Sequence, residues 1–153
     1  MEQESLRIVF DKWCKKLRLV PGWDVKLEFV TDPNWLKTGD FKIDCDDKTA
    51  ILMLNIASPK QENLEGVIVH ELMHLKLYPL DQVTESLITS NFTEGTAAYE
   101  FAYTQFFTTL EQTVAELAKC FLLEFGDNKT ISYGRCSAQK SFNELYKGLK
   151  SID

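Results

Sequence analysis

Histidine is almost missing from this chain, with 2 in 153 residues, His70 and His74. Any site built on three imidazoles is thereby excluded. No apolar run approaches the ~18–20 residues that cross a bilayer, so no membrane partner is expected. Positive charge is in deficit, with 17 Lys and Arg against 23 Asp and Glu and a net charge of −6. That balance gives no electrostatic reason to expect a nucleic-acid partner. The four cysteines, Cys14, Cys45, Cys120 and Cys136, form no C-x-x-C pair. They read as free thiols, the first three as small hydrophobes in apolar surroundings. No repeat, low-complexity stretch or linker divides the chain, which is long enough to bury a core. The opening Met1-Glu2-Gln3-Glu4-Ser5 is acidic and polar, unlike a secretory signal, and the expectation is a cytoplasmic protein.

What is present reads as one α+β domain. Leu6, Val9, Phe10, Trp13 and Leu17 recur at helical steps between Gln3 and Leu19, before Pro21-Gly22. From Trp23 to Val30 apolar and charged residues alternate, which is the pattern of a half-buried strand. Phe41, Ile43 and Cys45 alternate with Asp40, Lys42, Asp44 and Asp46 as a second strand, and Thr49–Ala57 forms a third. Ser58-Pro59-Lys60-Gln61 has the residues of a capping box, so a helix is predicted from there to Tyr78, with Pro79 as its stop. Gly66 inside it suggests close approach of another backbone. A short helix over Asp81–Ser90 and one or two helices over Thr93–Glu124 follow. After Gly126-Asp127-Asn128 the signals weaken to a short strand or loop near Ile131–Tyr133 and a helix around Ser141–Leu149.

The two histidines stand in His70-Glu71-Leu72-Met73-His74, an H-E-x-x-H pattern. On a helix, residues four apart share a face, so both imidazoles can reach one zinc ion. Glu71 can then turn its carboxylate to a water activated by the metal and act as general base. The flanking Val67-Ile68-Val69 and Leu72-Met73 mark a buried helix rather than a solvated one.

Catalytic zinc takes three protein ligands and keeps an open position. With both histidines used, the third ligand must be Asp, Glu or Cys. Glu111 fits best, because Phe107, Val114, Ala115, Ala118, Leu122 and Phe125 fall within about 60° of it on a helical wheel. A carboxylate in an apolar stripe needs a counter-charge, and a divalent cation supplies one. Glu94 is the rival. Glu94-Gly95-Thr96-Ala97-Ala98-Tyr99 is similar to the E-G-x-A-x-Y stretch of some larger zinc aminopeptidases. Glu85 and Glu100 fit less well.

His70-Glu71-x-x-His74 followed by Leu110-Glu111-Gln112-Thr113-Val114-Ala115-Glu116-Leu117-Ala118 resembles the gluzincin metallopeptidases, in which a downstream helix supplies a glutamate. The short length resembles the minimal soluble gluzincins, or minigluzincins, and small HExxH proteins of prophages and Gram-positive bacteria. The resemblance implies a compact zincin-like α/β (α+β) domain over 1–126, with a tail over 127–153 packing on it. It also implies that the Thr49–Ala57 strand is the rim along which an extended substrate pairs by strand addition. The chain departs from many relatives at Ala115, where they carry an Asp or Asn that orients a zinc histidine. No histidine remains to stabilise an oxyanion, which leaves Tyr78, Tyr99, Tyr103 or Tyr133 for that role. In minimal gluzincins the C-terminal segment can hold the enzyme inactive, and Cys136 is the residue here that could ligate zinc in that way.

The function expected from all this is a zinc-dependent peptidase acting on a peptide or protein, with His70, His74 and Glu111 as ligands and Glu71 as base. The alternative is a zinc-bearing binding or regulatory module of the same fold without turnover.

Overall fold

The computed structural model describes residues 3–131, and the predicted elements around Tyr133 and Ser141–Leu149, with Cys136, lie outside the described residues. The order is α1 (Gln3–Lys16), β1 (Asp24–Val30), β2 (Gly39–Asp44), β3 (Thr49–Asn55), α2 (Leu64–Asn91) and α3 (Ala97–Phe125). Three helices and a small mixed sheet make an α+β fold.

The three strands alternate as their sequences require. Leu27, Leu52 and Phe41 line up across the sheet on the face that meets the core, while Lys26, Ile51 and Lys42 form the exposed row beside them. The strand order is β1-β3-β2, with β3 parallel to β1 and antiparallel to β2. The last strand in sequence is therefore the central one. This corrects the expected rim: β3 is paired on both sides, and the edge beside α2 belongs to β2. The near-continuous apolar run Ala50-Ile51-Leu52-Met53-Leu54 suits the middle of a sheet, whereas β2, with its charged residues, suits an edge. Leu6, Phe10 and Trp13 of α1, Leu52 and Leu54 of β3, and Ile68, Val69, Leu72 and Leu75 of α2 form the core.

Helix α2 begins later and ends later than its sequence suggests. Ser58 is not its cap. The backbone N–H groups of Ala57 and Ser58 donate to the Asn55 side chain, which holds that segment in a loop. Asn63 caps instead, its Oδ1 accepting from Gly66 N at 3.1 Å. Pro79 does not stop the helix, which runs through it to Asn91 and absorbs the predicted short helix. Proline inside a helix costs about 3 kcal/mol, offset here by antiparallel packing of α2 on α3, into which Ile88 is buried. Gly66 meets the Leu122 side chain, not a backbone, at ordinary contact distance. The Thr93–Glu124 region holds a single helix, α3, which starts at Ala97 behind its cap Thr96. Cys14 is buried and free as expected, but Cys45 and Cys120 are exposed, one just beyond the end of β2 and the other on the solvent side of α3.

The two ends of the helix pair are tied by a buried carboxylate. Glu65, 1% exposed, accepts from Trp13 Nε1 at 2.8 Å and from Lys12 Nζ at 3.0 Å. Its other oxygen accepts from the backbone N–H of Asp127 at 3.1 Å and of Asn128 at 2.8 Å. Burial alone would raise this carboxyl's pKa, but the bonds from Asn128, Trp13, Lys12 and Asp127 together hold it below the usual range. A depressed carboxyl pKa stabilises the fold above its unfolded value of about 4.3, and that contribution fades as the pH falls through the folded value. We predict that Glu65→Ala, which strands an indole N–H and two backbone donors, lowers the free energy of unfolding in urea by about 3 kcal/mol or more. It should also flatten the loss of stability between neutral and acidic pH.

Candidate metal and catalytic site

His70 and His74 lie one turn apart on α2, on a stretch whose Val69, Leu72, Met73 and Leu75 are in the core, and Glu111 reaches them from α3. The two Nε2 atoms are 3.2 Å apart. Glu111 Oε1 is 3.2 Å from His74 Nε2, and Oε2 is 3.6 Å from His70 Nε2. Two ligands at zinc's usual bond length and the tetrahedral angle lie about 3.3 Å from each other. The two imidazole nitrogens therefore already stand at the edge length of a zinc tetrahedron, with one Glu111 oxygen near each of them, and these three residues are the one such His/Cys/Asp/Glu group among the described residues. Their chemistry fits as well. Burial lowers the pKa of both imidazoles, and the charge of His74 lowers that of His70 further, while Glu111 opposes the shift at each. The neutral form, which ligation requires, is thus favoured.

Glu71 follows the first histidine and faces the sheet edge. A Cβ on Gly39 of β2 would stand 2.7 Å from Glu71 Cγ and 2.8 Å from Oε1, so the absence of a side chain at 39 makes the carboxylate's place. Its carboxyl is pushed up to about 7, first by burial, then by the charges of Asp40 and Glu111, with Lys37 opposing. A cleft of about 300 Å³ opens beside His70 and Glu71, lined by Leu36, Lys37, Thr38, Gly39, Lys60 and Val67 among others. Buried Asn55 shapes its wall. Its Nδ2 donates to the carbonyls of Trp35 and Lys37 while its Oδ1 receives Ala57 and Ser58, so one amide pins both loops that border the cleft.

The rival ligand is elsewhere. Glu94 lies in the exposed turn between α2 and α3, more than four helical turns beyond His74, roughly 25 Å along the helix axis. Glu85 lies on the same distal stretch of α2, bonded to Gln82, and Glu100 is exposed near the start of α3. Phe107 and Phe125, expected on the buried stripe around Glu111, are exposed, whereas Val114, Ala118 and Leu122 are buried. Tyr78 packs edge-on against Trp23, and Tyr99 and Tyr103 stack on each other towards the turn. Ala115 brings no polar atom, but besides Glu111 a second carboxylate bears on His74, that of Asp81 two turns along α2.

Three participants escaped the sequence reading. The most buried carboxylate among the described residues is Glu65, which has protein donors and needs no metal. Gly39 and Asp81 also carried no signal of their own, since one acts by lacking a side chain and the other lies beyond a proline read as a helix end. Comparison with family models, with curated proteins and with solved structures gives no match for this chain.

The geometry sets a direct expectation for metal binding. Protein purified without chelating resin should carry about one zinc per chain, and Glu111→Ala should weaken zinc affinity by at least about a hundredfold. Glu94→Ala should leave it unchanged, as read by competition with a zinc-sensitive dye.

Proposed function

We propose that this protein is a zinc-dependent metallopeptidase of the gluzincin type that cleaves peptide bonds in a peptide or protein. The observation that carries the reading is the His70–His74–Glu111 group, its two imidazole nitrogens at tetrahedral spacing with a Glu111 oxygen near each, beside Glu71 in an open cleft. A zinc ion held by this group would polarise the scissile carbonyl and make water a nucleophile near neutral pH. Glu71 takes a proton from that water at its carboxylate and returns it to the departing amine. Burial and neighbouring acids give it a proton affinity suited to both transfers. Gly39 keeps the carboxylate against the sheet edge, where the outer side of β2 offers unpaired backbone groups to an extended substrate. Among the described residues no helix is long and apolar enough to cross a membrane, and the exposed free thiols Cys45 and Cys120 suit a reducing, cytoplasmic setting.

The second reading is a zinc-bearing binding or regulatory module without turnover, and Ala115 favours it, since the helix bearing Glu111 supplies no group there to orient an imidazole. Hydrolysis of casein or of a peptide library, abolished by chelation and restored by zinc, separates the two. Glu71→Gln should keep its zinc and lose about 10²–10⁴-fold in kcat. Gly39→Ala should also keep its zinc, while displacement of the Glu71 carboxylate lowers kcat by up to about a hundredfold. Full turnover in Glu71→Gln removes Glu71 from the mechanism, and full turnover in Gly39→Ala removes the need for a bare backbone at 39.

A further inference from the structure

The outer edge of β2 is less open than its place in the sheet suggests. Asn55 N donates to the Thr38 carbonyl at 2.9 Å, and these two residues stand opposite each other in the register that pairs Gly39 with Leu54 and Phe41 with Leu52. In an antiparallel ladder, directly opposed pairs alternate between bonded and unbonded. Asp40, Lys42 and Asp44 therefore turn their backbone groups inward to β3, while Gly39, Phe41 and Ile43 turn theirs outward. Gly39, the first of the outward three, lies against the Glu71 carboxylate. The N–H groups of Gly39 and Ile43 have no partner among the described residues. The N–H of Phe41, between them, is taken: it donates to Asp40 Oδ1 at 2.9 Å. The other oxygen of that carboxylate accepts from Lys37 Nζ at 2.5 Å, so the group is held on both sides.

We infer that Asp40 is a specificity-determining residue that limits how far a substrate can pair along β2. The inference rests on the peptidase reading and narrows the substrate of that same site. An extended peptide laid on this edge needs a donor at every second residue of β2. It finds one at Gly39, beside Glu71. Two residues on, its carbonyl meets a carboxylate oxygen where the Phe41 N–H would otherwise be, and two acceptors form no bond. Displacing Asp40 would strip a charge-assisted hydrogen bond from Phe41 and disturb the pair with Lys37. The substrate is thus held at one residue of the edge and in the cleft on the other side of Gly39, between Leu36, Lys37, Lys60 and Gln61. It is a peptide recognised close to the scissile bond on the β2 side, not a long strand. The same cap keeps a second copy of the chain from pairing along β2.

The test measures zinc content and the binding of hydroxamates, which chelate zinc and are not cleaved, to the full chain. Acetohydroxamate is compared with Thr/Val peptides of one to four residues carrying the hydroxamate at either end, so that both directions from the metal are covered. Each affinity is divided by that of acetohydroxamate on the same variant, which cancels any effect of the lost charge on Glu71 or on the metal. In the unsubstituted chain one series should stop gaining affinity after the residue opposite Gly39. In Asp40→Ala the longest probe of that series should gain at least about threefold, the worth of one added hydrogen bond. Asp40→Asn, whose amide oxygen can still accept from Phe41, should keep the original profile. The inference is overturned if both series keep gaining to four residues in the unsubstituted chain, or if Asp40→Ala leaves both profiles unchanged. It is overturned as well if Asp40→Asn matches Asp40→Ala, because charge and not the capped N–H would then be responsible. A zinc-loaded chain that binds acetohydroxamate but gives one of these results loses this inference alone. A chain that takes up no zinc loses the peptidase reading, and the inference with it.

Discussion

The carboxylate of Glu65 fixes the relation between the helices on which the site depends. It receives α1 through Trp13 and Lys12 and the chain leaving α3 through the backbone of Asp127 and Asn128, all within one turn of the start of α2. With the end of α3 tied to the beginning of α2, the two helices can pack antiparallel in one register, with Leu122 against Gly66. That register carries Glu111 back to the level of His70 and His74. A slip of one residue would rotate Glu111 by about 100° around α3 and take its carboxylate off the seam. The buried charge is tolerable because each of its oxygens has donors, which is the condition on which a carboxylate can leave water.

The cleft joins this rigid seam to a more local device. Asn55, at the end of the central strand, saturates its amide with four backbone partners and so holds both loops that flank Glu71. Gly39 stands where the edge strand passes the Glu71 carboxylate. The result is a group of acids, Glu71, Glu111 and Asp40, near two neutral imidazoles, with Lys37 the cation that answers Glu71. Charge of that sign, concentrated without full compensation, is relieved by a divalent cation, in accord with the function proposed here.

The pattern His70-Glu71-x-x-His74 was legible because its meaning depends only on helical periodicity, which the surrounding apolar residues guarantee. Glu111 was legible for a related reason: a carboxylate among Val114, Ala118 and Leu122 stands out on a helical wheel. The strands were legible from alternation. Other features were not. Ser58 and Asn63 both suit a cap, and only the competing bonds from Asn55 decide between them. Pro79 signals a stop locally, yet packing along α3 outweighs its lost hydrogen bond. The exposure of Cys45 and Cys120, the mobile choice of rim strand in any list of three apolar strands, and the burial of Glu65 all depend on neighbours distant in sequence.

The sequence by itself determined the strands, the first helix and the pairing of two imidazoles on one helical turn, because each follows from spacing along a single segment. Only the tertiary structure decided which carboxylate joins the histidines, which strand lies beside Glu71 and where α2 begins and ends. Those outcomes are set by contacts between residues tens of positions apart, and no local periodicity encodes the register in which two helices or two strands meet.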